Sequence, residues 1–269
     1  MKKYAFTFRD DQSFSGTVTR HNFLIRCMPG TYPFQRTYAH KLTVRPYTAL
    51  THSADVFGNE MYTGAVDKAH TDFSFESSGF VLCSKYLIRE PLDRLYLYPT
   101  TLTTPTEQMH RILASASLSE DPWRRAMQLC DLTHRSLTLT PRISGVRTPA
   151  AKALSAGHGD ARAQAHVLMT LCRLSGIAAR FVSGLALGVD TAHCWVEVYC
   201  GSLWRALDPT TGAPVEEGYL KIAHGPDYNA CSLERGVFRA EEDGVTATNH
   251  LTVQVTEHVI TTRDTVPHA

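Results

Sequence analysis

Between Gly157 and Gly212 the chain prescribes one helix followed by three short strands, and the rest must be arranged around that unit. Residues 160–175 have helical periodicity: Ala161, Ala165, Leu168 and Cys172 recur every three or four positions, as packing on one face requires. Asp160 can cap the first turn, and Gly176 can take the left-handed conformation that ends it. The runs 181–187, 193–199 and 203–208 are rich in Val, Trp, Tyr and Leu and read as strands. The Cys200-Gly201-Ser202 link is short enough for antiparallel pairing. Side chains alternate along a strand, so His193, Trp195, Glu197 and Tyr199 share one face and Cys194, Val196, Val198 and Cys200 the other. Trp204, Ala206 and Asp208 lie together on the next run.

Four motifs stand out: Gly159 with Ala165-His166; Gly176-Ile177-Ala178-Ala179-Arg180; His193-Cys194-Trp195-Val196-Glu197-Val198; and Trp204 through Asp208-Pro209-Thr210. With them the segment resembles the transglutaminase-like superfamily. Its bacterial members carry roughly G-x-C-x-x-x-A-H, G-I-x-A-R, H-x-W-V-E-V and W-x-x-x-D-P-T. The stretches HNFLIRCMPG, HKLTVRP and DVFGNEMY are similar to the β-rich N-terminal region of bacterial transglutaminase-like proteins. The resemblance implies an α+β chain: an N-terminal β-sandwich-like domain, then a papain-like or transglutaminase-like core with a helix packed on an antiparallel sheet. It implies a catalytic Cys–His–Asp set falling on residue 161, His193 and Asp208. Residue 161 is Ala.

The implied activity is thiol-dependent acyl transfer on a peptide or amide substrate. Hydrolysis, by a cysteine peptidase or amidase, is the first expectation. An amine acceptor, as in a transglutaminase or amide synthase, is the alternative. Such a thiol reacts as thiolate, so its pKa must fall from about 8.5, and a helix N-terminus and a nearby imidazolium both lower it. Position 161 follows Asp160 at the helix start, His193 would be the base, and Asp208 would hold its other ring nitrogen. The N–H of residue 161 is a natural oxyanion donor. As written, the chain forms no thioester there. Either Ala161 is an engineered replacement of Cys in an otherwise intact enzyme, favoured because His193 and Asp208 are kept, or the chain is a natural pseudoenzyme that holds a peptide or acyl partner. Trp195 and Trp204 read either as packing or as walls of an acyl groove. Asp227-Tyr228 matches a D-Y of the family, on the substrate side or in a turn. His166, five residues past 161, reads as core, as does Cys172; Cys194 points away from His193 and is a poor substitute nucleophile.

Residues 1–98 read as strands at 3–8, 16–27, 37–45, 60–66, 71–76 and 79–88, with turns at Pro29-Gly30, Phe57-Gly58-Asn59 and Ser77-Ser78-Gly79. Thr104, Pro105 and Glu107 suggest a capping box opening a helix over 105–116. Asp121-Pro122 and Thr148-Pro149 open two more. A boundary near residue 104 divides a β-rich domain (1–104) from the core (105–269). The run 251–260 reads as a further strand belonging to either part, and 261–269 as a fraying tail. A net charge of +1 without charge blocks argues against nucleic acid or an anionic membrane surface. No run reaches the ~18 apolar residues of a membrane span. Seven cysteines, odd in number and without C-x-x-C spacing, favour a reducing, cytoplasmic setting. Thirteen histidines include no H-E-x-x-H, so neither metal nor cofactor is expected. The oligomeric state is left open. A different class, a β-sandwich adhesion or scaffold module, would have no reason to keep residue 161 accessible.

Overall fold

The computed structural model describes residues 1–141 and 147–260; the expected 261–269 tail lies outside them. The first part is all strand: β1 (Lys2–Ile25), β2 (Gln35–Arg45), β3 (Thr51–Ala54), β4 (Glu60–Val66) and β5 (His70–Cys83). A 3-10 turn, Arg94–Leu97, leads to α1 (Glu107–Ser115), α2 (Pro122–Ser136), β6 (Thr138–Leu139), α3 (Ala150–Ala156) and β7 (His158–Gly159). The central unit is α4 (Ala161–Leu174), β8 (Ala179–Ala186), β9 (His193–Cys200) and β10 (Leu203–Asp208). Then come β11 (Ala213–Pro214), β12 (Tyr219–Gly225), β13 (Glu234–Ala240) and β14 (Ala247–His258). The chain is α+β.

The first sheet is ordered β2-β5-β1-β4-β3, with β13 and β14 also paired to β1. The long β1 explains its curl. Residues 3–14 pair with β14, from Lys3 opposite His258 to Phe14 opposite Ala247, while Ile25 lies opposite Glu234 of β13. Between these halves the register shifts, and Arg20 adopts φ +47°. Such a bulge bends a strand and raises its twist. The expected turn at Ser77-Ser78-Gly79 is instead the middle of β5. Ser77 is buried and its hydroxyl donates to Cys27 O at 2.6 Å, so its polarity is satisfied inside the sheet. β13 and β14 follow the core in sequence yet complete this first sheet.

The second sheet is antiparallel, ordered β11-β10-β9-β8-β12. Twelve of the 14 residues of α4 are buried, more than a one-faced amphipathic helix allows. Val167, Leu168, Leu171 and Cys172 share one core cluster with Phe181, Val196 and Val198, while α1–α3 cover the helix elsewhere. Arg173 near its end donates to Tyr96 O, Thr103 Oγ1, Ala179 O and Pro226 O, which ties four segments to the helix. Helix α1 starts later than the capping box suggests: its cap is Thr106, because the Thr104 hydroxyl is committed to Thr100 O at 3.1 Å. Asp121 caps α2, with Pro122 in the first turn. All seven cysteines are free and buried. Among the described residues no helix is long and apolar enough to cross a membrane.

Candidate active site

The N-terminus of α4 is fixed by its cap. Asp160 Oδ1 accepts from Ala163 N–H at 3.0 Å, and Gln164 N–H donates to Asp160 O at 3.0 Å. The Arg162 guanidinium bonds back to Asp160 Oδ2, through Nε at 2.9 Å and through Nη2, so the capping carboxylate does not stand as a bare charge beside residue 161. Arg162 also lies 5.1 Å from the centre of the Tyr228 ring. The Tyr228 loop is tied to the helix by His166, whose Nε2 accepts from Tyr228 N–H at 3.3 Å. His166 is thus a buried member of the frame, and burial pushes its imidazole down to about 4.

His193 begins β9. Its Nε2–H donates to Asp208 Oδ2 at 2.7 Å, leaving Nδ1 as the nitrogen that can serve as base. Asp208 is fully buried and accepts three more bonds: Tyr219 OH on Oδ2 at 2.8 Å, and Thr210 N–H and Oγ1–H on Oδ1 at 2.8 and 2.7 Å. Burial alone would raise this carboxyl. The hydrogen bond and charge of His193, with Thr210 and Tyr219, outweigh burial and hold it below the ordinary carboxylate value. Directly opposite His193 on β8 is Gly184. A Cβ there would come within 2.4 Å of the Trp195 ring and 2.3 Å of Leu220 O, so only glycine lets Trp195 fold across under the histidine.

These parts meet at one cavity of about 460 Å³, whose wall includes Asp160, Ala161, Arg162, His193, Thr210 and Tyr228. The α4 N-terminus and His193, held from behind by the buried Asp208, therefore face the same space. Residues 111–209 match the family described as the Transglutaminase-like superfamily, and residues 4–82 the Bacterial transglutaminase-like N-terminal region. The chain carries a transglutaminase-like core behind a bacterial transglutaminase-like N-terminal region. An uncharacterized protein of Mycobacterium bovis is 26% identical over 278 residues, covering 87% of each chain. An uncharacterized protein of Mycobacterium leprae is 23% identical over 240 residues, 79% of this chain and 85% of that one. A solved structure from Cytophaga hutchinsonii described as a "Putative Cysteine Protease" has the same fold, with a TM-score of 0.80 at 19% identity over 97% of this chain and 93% of that one.

Within this transglutaminase-like core the other sequence candidates fall in different places. Trp195 and Trp204 are fully buried in a second cluster and are absent from the cavity wall. Trp195 donates from Nε1 to Tyr86 OH at 3.0 Å, and Trp204 carries the Arg180 guanidinium 4.2 Å from its ring. Asp227 is buried and accepts from Asn229 N–H, which shapes the turn that presents Tyr228 to the cavity. Cys194 packs in the helix-side cluster with Val196 and Val198, and it also borders the cavity. Behind His193, buried Glu197 takes Lys221 Nζ at 2.8 and 2.9 Å, Arg180 Nε and the Tyr86 hydroxyl. Burial opposes its charge, but Arg180 and Lys221 hold it well below the ordinary carboxylate value. Sequence reasoning missed Tyr219 and Lys221, because strand β12 had no strong local signal. Thr210 was legible: an acceptor two residues earlier is the ordinary Asx-turn pattern. Among the described residues no group of three or more His, Cys, Asp or Glu is placed to hold a metal ion.

Proposed function

We propose that this cavity is a thiol-type acyl-transfer site for peptide or amide bonds, and that the chain with Ala161 binds its substrate there without turning it over. The observation that carries the reading is the meeting of the α4 N-terminus and an Asp208-held His193 on one cavity. With Cys at 161, His193 Nδ1 takes the thiol proton and the thiolate attacks the amide carbon. The oxyanion forms beside the N–H of residue 161, which lies in the helix turn that lacks intrahelical acceptors. Collapse breaks the C–N bond, the amine leaves with the proton from His193, and the acyl group stays as thioester. Water gives a proton to His193 and attacks the thioester; the acid leaves and the thiol is restored. With a methyl group at 161 no first bond forms, while the pocket that would hold the amide is unchanged.

The test is Ala161→Cys against a pool of peptides from a digested proteome, read by new amino termini in mass spectrometry. We expect hydrolysis that disappears in Ala161→Cys with His193→Ala, and binding of the same peptides, uncut, by the Ala161 protein. No cleavage by the Cys form would overturn the reading. Incorporation of a dansyl-labelled amine in place of water would move the acceptor from water to amines.

A further inference from the structure

A second cavity, of about 360 Å³, adjoins the first and shares Arg162, Tyr228 and Leu233 with it. It lies where β1, β13 and β14 of the first sheet meet the core, and its wall carries Arg147, Arg162 and Arg235. Arg162 is committed to Asp160. The other two are held by a neutral residue instead. Arg147 Nη1 donates to Asn229 Oδ1 at 2.8 Å, and Arg235 donates from Nη2 to Asn229 O and from Nε to Ser232 Oγ at 2.8 Å. Among the described residues neither is ion-paired with a carboxylate. One asparagine thus brings two guanidinium groups together without neutralising them. Partial desolvation by the surrounding wall first, then the charges of Arg147 and Arg26, push the exposed Arg235 guanidinium below its ordinary value, with Tyr228 and Asp227 partly offsetting them.

We propose that this cavity is a subsite for the carboxylate of an acidic side chain on the peptide held in the neighbouring cleft. The proposal rests on reading that cleft as a peptide site. Guanidinium forks match a carboxylate in two-point geometry, and such charge-assisted bonds are stronger than neutral ones. Asp10 and Glu234 border the same cavity, each engaged by a partner of its own. Their presence disfavours a doubly charged phosphate more than a singly charged carboxylate. A Glu or Asp side chain is therefore the ligand we assign.

The experiment uses the full chain with Ala161 and fluorescein-labelled heptapeptides that differ by Glu or Gln at one position, read by fluorescence anisotropy. We expect one position at which Glu binds about tenfold more tightly than Gln. Arg147 and Arg235 are exposed, so Arg147→Gln with Arg235→Gln leaves the core intact, and this variant should lose the preference while binding the Gln peptide within twofold of the parent. Equal binding of Glu and Gln peptides at every position, or a preference kept in the double variant, overturns the proposal. Inorganic phosphate that displaces the Glu peptide at a tenth of the concentration acetate requires overturns the carboxylate assignment. Iodoacetamide reactivity of Ala161→Cys separates the two readings. A reactive thiol without a Glu preference removes the subsite alone, and a Glu preference beside an unreactive thiol removes acyl transfer alone.

Discussion

Asp208 accepts four hydrogen bonds in a buried position, and one of them sets the tautomer and plane of the His193 ring. Replacing it by Asn would present an amide that can no longer balance an imidazolium. In the Ala161→Cys protein we expect Asp208→Asn to lower kcat/KM by about 10²–10⁴-fold with little change in KM, measured by steady-state kinetics on a cleaved peptide. His193 and Asp208 were legible because each sits in a short motif, and strand alternation already placed Asp208 with Trp204 rather than with Leu207. Tyr219, which holds the same carboxylate, was not. Its approach depends on β12 pairing with β8, and no local pattern around residue 219 announces that partner. The tryptophans show the opposite limit. Their motif positions were clear, but side-chain size and strand face did not reveal that Tyr86 and Tyr96 would close over them.

At the scale of elements, β8, β9 and β12 are joined across their buried face by Arg180, Glu197 and Lys221. Removing one charge from such a set leaves the others buried and uncompensated. We expect Glu197→Gln to cost about 3–5 kcal/mol of stability, read as a lower urea midpoint with an unchanged slope. The helix and its three following strands were readable from periodicity, an N-cap and the short Cys200-Gly201-Ser202 link, all of them local signals. The true span of β5 was hidden by a Ser-Ser-Gly sequence that reads as a turn, because the Cys27 carbonyl that satisfies Ser77 is supplied by the segment that follows β1. Likewise α4 carried an apolar stripe in sequence, yet its polar residues are buried too. The covering helices and partners such as those of Arg173 lie far away along the chain.

Over the whole molecule the two sheets are interlocked, since β13 and β14 return from the core to flank β1. That return could not be read from a strand pattern near the C-terminus, which fits either sheet equally well. Stability should depend on acid. His166 has an unfolded value near 6.5 and is held down to about 4 in the fold, first by burial. Below pH 6.5 the unfolded chain takes up a proton that the folded one refuses, so the stabilisation is complete above 6.5 and falls as pH drops towards 4. By pH 4.5 this one group should remove about 2–3 kcal/mol. Urea midpoints at pH 7.0, 5.5 and 4.5 check this, and His166→Gln should narrow the difference between the extremes.

The most direct test of the site is alkylation of Ala161→Cys by iodoacetamide at pH 6, followed by peptide mass spectrometry. The background is quiet: Cys27, Cys83, Cys130 and Cys231 are buried and pushed up to about 12, and Cys172 is pushed well above its ordinary value. We expect rapid labelling at 161 that is lost with His193→Ala, as a thiolate held by a helix N-terminus and an imidazolium requires. A thiol at 161 no faster than the buried seven, or one indifferent to His193, would contradict a site built for acyl transfer.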